Sequence, residues 1–166
     1  RRGHAFILTI DVKEFHGQYT VPYDVSMLGI APHMHKLGQH WKIFAVKPNG
    51  DTVNLINVNE WDFNWQGTYS FKKLLHLPQG SIIHASAEYD NTTANVNNPN
   101  NPPKTISWGE KTGDEMYYLP LLYLDYQQGD ENIVFEDGTT ALDDSKYFVV
   151  KNELYPVAPN PASDKV

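Results

Sequence analysis

The chain contains no cysteine, which excludes several kinds of site at once. Disulfide bonds, iron–sulfur clusters and zinc sites built on thiolates all require cysteine sulfur. Basic residues are also scarce, because 13 Lys and Arg face 20 Asp and Glu and the formal net charge is -7. With no basic run, this composition argues against nucleic acid or an anionic membrane surface as a partner. No apolar run approaches the ~20 residues that a membrane-spanning helix needs.

The residue pattern predicts β-structure. At 166 residues the chain fits one domain of ordinary size, with a core that needs no cross-links. No segment carries a sustained 3.6-residue apolar period, and turn signals at 48–51, 77–80 and 136–138 separate short runs. We expect an all-β fold, a two-sheet antiparallel sandwich of the jelly-roll type. The predicted strands lie near 5–12, 20–30, 40–47, 52–58, 67–76, 81–89, 104–108, 116–126, 132–135 and 146–151.

Two histidines that are close in sequence and a methionine much later form the most informative pattern: His33, His35 and Met116. Residues i and i+2 of an extended segment project from the same face, so the two histidines can aim at one point while Met34 turns the other way. Two imidazoles and a soft thioether suit Cu(I) better than Mg, Ca or Mn, which prefer oxygen. Taken singly, the His-x-His pair is more often a hydrogen-bonded surface pair, and the methionine is more often core filler.

An aromatic segment supports two interpretations. Trp61, Phe63 and Trp65 alternate with polar residues, so a strand would place three rings on one face. Such a face is more often the core side of a sandwich strand, but three rings in a row can also stack on sugars. A carbohydrate-binding sandwich with an incidental histidine pair is therefore a second hypothesis. The polar run 91–103 predicts a long loop, which in a compact domain is usually functional or mobile.

Four motifs occur in a fixed order: His33–Gly38, Trp61–Gln66, Ala87–Asn91 and Trp108–Met116. Over about residues 20 to 127 they resemble the C-terminal domain of the copper type II, ascorbate-dependent monooxygenases, and most closely its bacterial members. Peptidylglycine alpha-hydroxylating and dopamine beta-monooxygenases are the well-known relatives. The resemblance implies one copper ion, cycling between Cu(I) and Cu(II), held by His33, His35 and Met116. At this copper the family uses dioxygen to hydroxylate a substrate C–H bond.

The family also carries a second copper on a separate N-terminal domain with its own three histidines. The remaining histidines stand singly, with no second His-x-His pair: His4, His16, His40, His76 and His84. His40 follows the predicted site closely enough to support a ligand, but a strand edge that faces water is the favoured interpretation of it. The resemblance therefore implies two partners, a small-molecule substrate and an electron donor or upstream second copper domain. By itself the chain is expected to be an incomplete enzyme. The alternative is a non-catalytic copper-binding or adhesin module of a larger surface protein.

In the amidating members, an arginine two residues before the first histidine holds the peptide carboxylate, helped by an asparagine and a tyrosine after the methionine. Those positions hold Ala31, Tyr118 and Pro120 here. Arginine offers a fixed fork of donors that matches a carboxylate, and alanine cannot replace it. The sequence therefore predicts a neutral or aromatic substrate rather than a glycine-extended peptide.

Both ends of the sequence suggest a piece of a longer protein. Residues 1–7 lack an initiator methionine and a signal peptide, yet already run into a predicted strand. Residues 154–166 resemble the opening of the C-terminal sorting domain used in Bacteroidetes type IX secretion, although a plain Pro-rich linker has similar composition. We expect a copper-binding jelly-roll domain over 1–152, a linker or the start of a sorting domain over 153–166, and a secreted or cell-surface location.

Overall fold

The computed structural model describes residues 6–7, 9–135 and 154–156. These residues form an all-β fold in which antiparallel strands build two four-stranded sheets. The first sheet contains, in spatial order, β2 (Val12–Thr20), β7 (Ile82–Asp90), β4 (Gly38–Val46) and β5 (Thr52–Val58). The second contains β10 (Leu154–Pro156), β6 (Tyr69–Leu77), β3 (Val25–Ile30) and β9 (Leu121–Asp125).

A short pair, β1 (Phe6–Ile7) with β8 (Ile106–Ser107), lies outside the two sheets. Among the described strands of the two sheets, most connections cross from one sheet to the other, and only β4 and β5 are consecutive strands that pair with each other. This alternation between two sheets is the connectivity of a jelly roll. The prediction of an all-β, two-sheet antiparallel sandwich is therefore confirmed.

Alternation along the strands places the core between the sheets. Ile83, Ala85, Ala87 and Tyr89 of β7 are buried, while the residues between them are half-buried on the outer face. In the same way Trp41, Ile43 and Ala45 of β4 point inward. The Trp41 ring packs 4.7 Å from that of Tyr117, centroid to centroid. Side chains of both sheets thus form one contiguous hydrophobic core, which is what stabilises a sandwich of this size.

The sequence interpretation was wrong about β2. A strand was predicted at 5–12, but the chain turns at Thr9 and Ile10 and the long strand follows at Val12–Thr20. Only Lys13, Phe15 and Gly17 of β2 are half-buried, and all its other residues are exposed. Because this strand lies at the edge of its sheet in the described residues, its apolar alternation is weak, and that alternation was the signal the prediction needed.

The aromatic segment Trp61–Gln66 is not a strand, so the expectation that three rings share one strand face was also wrong. The Asp62 carboxylate accepts the N–H of Asn64 at 2.8 Å, and the Asp62 carbonyl accepts the N–H of Trp65 at 3.0 Å. An aspartate that bonds the backbone two residues ahead stabilises a turn in place of a strand ladder.

Near the C-terminus the predictions had mixed outcomes. The predicted strand at 132–135 is instead a 3-10 turn at Asp130–Asn132, followed by a single bridge from Val134 to Lys73. Leu154–Pro156 pair with β6, although they were assigned to the linker. The predicted strand at 146–151 and the rest of the predicted tail lie outside the described residues.

Asparagine side chains anchor the loop 91–103. Asn91 is fully buried, and its amide donates to the Lys104 carbonyl at 2.8 Å and accepts from Asn98 at 3.0 Å. Asn95 donates to the Asp90 carbonyl at 2.8 Å and to the Lys36 carbonyl at 3.3 Å. The second of these bonds connects the loop directly to the segment that carries the histidine pair.

The Asp130 carboxylate gives a prediction about stability in acid. Its Oδ2 accepts the Gln127 N–H at 2.9 Å and the Ser26 hydroxyl at 2.7 Å, and these donors hold the pKa of Asp130 below its usual range. A lowered folded-state pKa stabilises the fold above the unfolded pKa of 3.8, and this contribution disappears as the pH falls through the folded pKa. Asp130→Asn should therefore lower the free energy of unfolding at pH 7 and flatten its decline in acid. Urea unfolding at pH 7 and pH 3 measures this, and Glu60→Gln is the control at an exposed position. If wild type and Asp130→Asn lost the same unfolding free energy between pH 7 and pH 3, the prediction would be contradicted.

Candidate metal centre

The histidine pair lies where the β3–β9 ladder continues beyond its regular strands. Ala31 donates its N–H to the Pro120 carbonyl at 3.0 Å. His33 pairs antiparallel with Tyr118, its N–H donating at 2.8 Å and its carbonyl accepting at 3.1 Å. This pairing holds the segment extended, so neighbouring side chains must alternate between its two faces.

The alternation has the predicted result. The His33 and His35 rings are neighbours in a T-shaped arrangement, with centroids 5.1 Å apart and planes at 85°. Met34 turns into the core and is fully buried, packed so closely on Gly38 that an added Cβ there would lie 2.6 Å from its methyl carbon. His35 is 4% exposed, whereas His33 is half-buried.

Hydrogen bonds fix which nitrogen of each ring is protonated. The Nδ1 of His35 lies 3.1 Å from the Asp114 carbonyl oxygen, and the Nδ1 of His33 contacts Oε1 of Gln66. The Gln66 amide is oriented by its other end, because its Nε2 donates to the Phe63 carbonyl at 2.6 Å. Carbonyl oxygens only accept, so in the neutral form of each ring Nδ1 carries the proton and Nε2 has the lone pair.

Neither Nε2 has a hydrogen-bond partner among the described residues. A metal-binding histidine typically donates its other ring N–H to a carbonyl or carboxylate, which orients the ring and strengthens it as a ligand. His33 and His35 both have this arrangement.

Met116 lies outside the regular strands, in the segment that leads from Glu115 to Tyr118. Continuing the His33–Tyr118 register by two residues sets Met116 opposite His35. The N–H groups of these two residues donate to the same carboxylate oxygen of Glu115, at 2.9 Å from Met116. The Met116 carbonyl accepts the Tyr89 hydroxyl at 2.8 Å. The His33–Tyr118 bridge and the shared Glu115 carboxylate thus hold the main chain of Met116 beside the histidine segment.

Glu115 is a buried carboxylate, 5% exposed, beside the predicted ligands. Besides the N–H groups of His35 and Met116, it accepts that of Leu37 at 3.0 Å. Burial raises the pKa of the Glu115 carboxyl, and the three N–H donors act in the opposite direction. In the sequence Glu115 was only a member of a motif. Its neighbour Met116 carried the ligand prediction, and no local signal indicated its contacts with residues about 80 positions away.

Aromatic side chains surround the histidine pair. The Phe63 ring lies 5.7 Å from that of His35 at 87°, and the Trp61 indole N–H donates to the His35 carbonyl at 3.2 Å. Tyr118, paired with His33, is 55% exposed. The turn at Trp61–Gln66 therefore supplies a ring, an indole donor and the Gln66 amide to the histidine pair, none of which the strand interpretation anticipated.

The other described histidines are engaged elsewhere. His16 contacts Ser86 at 2.8 Å and Glu14 at 3.4 Å, and His40 lies 3.7 Å from Glu88, all on the outer face of the first sheet. His76 stacks on Tyr126, and His84 stacks on Phe44. Over residues 6–7, 9–135 and 154–156, no three His, Asp or Glu side chains converge to hold a metal. A site built on two imidazoles and a thioether is a different ligand set.

No helix among the described residues has the length and apolar character needed to span a membrane. The sequence matches no protein-family model and no curated protein.

Proposed function

We propose that this protein is a copper-binding domain in which His33, His35 and Met116 hold one copper ion. The observation that carries the proposal is the state of the two neighbouring imidazoles. Each directs its Nδ1 at a carbonyl oxygen, so that the Nε2 atoms of the neutral rings are the ones left to bind a metal. With Met116 held beside His35 by the shared Glu115 carboxylate, these residue types suit a soft, three-ligand site for Cu(I) with one position open.

The activity that this site supports best is that of the oxygen-activating half of a copper type II monooxygenase. Copper bound there would supply one-electron redox chemistry with an open position for the oxidant. The chain itself fixes the two rings through Gln66 and Asp114, and His35 is nearly excluded from water. Phe63 and the exposed Tyr118 provide an aromatic surface next to the histidines for a substrate.

Partners follow from what one such site can do. Hydroxylation by dioxygen consumes two electrons beyond those of the substrate bond, and one copper delivers one electron at a time. We therefore propose an electron donor or a second copper domain, in addition to a small-molecule substrate. Export to the cell surface or medium remains a proposal based on the tail sequence 154–166 alone.

The non-catalytic copper module stays the second candidate, because it needs only the same three ligands. The carbohydrate-binding alternative has lost its main support. It required three rings on one strand face, whereas Trp61 donates its indole N–H to His35 and Phe63 packs on the His35 ring.

Anaerobic titration of the protein with Cu(I) tests the proposal. We expect one high-affinity equivalent, and His33→Ala should weaken it by at least ~100-fold, because loss of an outer-shell partner alone typically costs 10–100-fold. The matched control is His40→Ala, which removes a histidine of comparable exposure on the other sheet and should leave the affinity unchanged. If His33→Ala and His40→Ala bound Cu(I) with equal affinity, the histidine pair would not be part of the copper site.

A further inference from the structure

We propose that Glu115 is the positioning residue of this site, whose carboxylate holds the histidine segment and Met116 in register before any metal arrives. The inference rests on the proposed copper site and concerns how the site is built. Regular strand pairing ends at the His33–Tyr118 bridge, so backbone ladder bonds do not by themselves fix His35 against Met116. The Glu115 carboxylate lies between these two residues and accepts the N–H group of each.

The hydrogen bonds of the histidine segment divide into two groups. Its carbonyl groups accept hydrogen bonds from three different elements. The Trp61 indole N–H donates to the His35 carbonyl, the Asn95 amide donates to the Lys36 carbonyl, and the Asp90 N–H donates to the Leu37 carbonyl at 2.8 Å. The N–H groups of His35 and Leu37 instead both donate to Glu115. One side chain therefore receives every hydrogen bond that these two amides make among the described residues.

The same carboxylate also holds the methionine. Its Oε1 accepts the N–H of Met116, while the Tyr89 hydroxyl holds the Met116 carbonyl. Glu115 is itself fixed by its backbone, which donates to the Ser107 carbonyl at 3.2 Å and accepts the Gly109 N–H at 3.1 Å. The carboxylate is thus anchored at its base and joins two segments that are 80 residues apart.

The chemistry requires a carboxylate at this position. An ionised carboxylate is purely an acceptor, and its two oxygens can receive all three N–H groups. Glutamine of nearly the same shape has one acceptor oxygen, and its NH2 group would face N–H donors. At 5% exposure, water has little access to repair the loss, so a buried donor would be left unsatisfied.

Two consequences follow, one of which needs no metal. In the metal-free protein, the His35 and Leu37 amides should exchange slowly with solvent as long as Glu115 holds them. When copper binds, the thioether should join the two imidazoles without reorganisation of the backbone, because the segments are already in register.

The test compares wild type with Glu115→Gln in two measurements. In the metal-free variant, we expect faster hydrogen exchange at His35, Leu37 and Met116, and unchanged exchange in β4 and β7. In the Cu(I)-loaded variant, we expect ~10–100-fold weaker affinity and a reduced sulfur contribution to the copper X-ray absorption spectrum. Glu88→Gln, a half-buried glutamate on the outer face of the first sheet, is the control and should change neither.

The outcomes separate this inference from the proposed function. If wild type binds Cu(I) with sulfur ligation and Glu115→Gln matches it in affinity, sulfur signal and exchange, the inference is overturned and the copper site stands. If wild type binds no Cu(I) but the exchange changes appear, the proposed function fails and Glu115 is a purely structural clamp. Should Glu115→Gln not fold, Glu115→Asp decides, because it keeps the charge but shortens the reach by one methylene. Wild-type exchange and copper affinity in that variant would overturn the inference.

Discussion

Replacing Met116 with leucine should weaken Cu(I) binding much more than Cu(II) binding. The thioether contributes softness, which stabilises the reduced ion and matters little to the oxidised one, whereas the imidazoles bind both. We expect at least a ~100-fold loss in Cu(I) affinity and a Cu(II) affinity within about tenfold of wild type, since loss of a direct ligand should exceed the 10–100-fold typical of outer-shell partners. Competition titrations, anaerobic for Cu(I), measure both constants.

Met34→Leu is the matched control. Both substitutions remove a sulfur at nearly constant volume, which generally costs less than ~1.5 kcal/mol of stability even in a core. Met34 is next to both histidines in sequence but is buried on the other face of the segment. If Met34→Leu and Met116→Leu had the same effect on Cu(I), the loss would reflect packing, and Met116 would no longer be a ligand.

The second large effect concerns substrate choice. A full-length protein that contains this domain should not hydroxylate glycine-extended peptides at a saturable rate, but should accept neutral aromatic substrates. The positions that correspond to the peptide-carboxylate site of the amidating enzymes, which the sequence resembles, are close together here, because Ala31 donates its N–H to the Pro120 carbonyl and Tyr118 pairs with His33. None of these three residues carries a positive charge. Without a guanidinium fork, nothing at these positions fixes the peptide near copper, and a misplacement of ~1 Å can cost about a hundredfold in rate.

Turnover assays of glycine-extended peptides, phenethylamines and neutral aromatics with the full-length protein, each repeated with Met116→Leu, distinguish these substrates. Tyr118→Ala, which removes the exposed ring beside His33, should raise KM for aromatics and leave Cu(I) affinity unchanged. Saturable hydroxylation of a peptide that disappears in Met116→Leu would refute the prediction.

The parts of the fold that were predictable are those where local pattern and tertiary environment agree. The alternation in Ile82–Asp90 marks a strand with one buried face, and that strand is central in its sheet. Val12–Thr20 was missed because an edge strand need not bury a continuous apolar face. Trp61–Gln66 alternates as a strand would, but the Asp62 side chain forms a turn that periodicity does not reveal.

For the candidate site, the two histidines and the methionine carried recognisable chemistry, so residue type and motif order were enough to single them out. Gln66, Asp114 and Glu115 were not singled out. Their roles depend on contacts with residues 33 to 80 positions away, and an amide, a backbone carbonyl and a glutamate before a methionine have no distinctive local signal.

Because the facing strands come from distant parts of the chain, copper at this site would act as a reversible cross-link. The chain has no cysteine, so no disulfide can close the loop between the His35 segment and the Glu115 segment, 80 residues away. A covalent bridge closing a loop of that size removes about 4–5 kcal/mol of unfolded-state entropy in the chain-entropy estimate. Bound metal shifts the folding equilibrium in the same direction, by an amount set by its free concentration and affinity. The supply of copper would then set the fraction of this domain that is folded as well as the fraction of the site that is loaded.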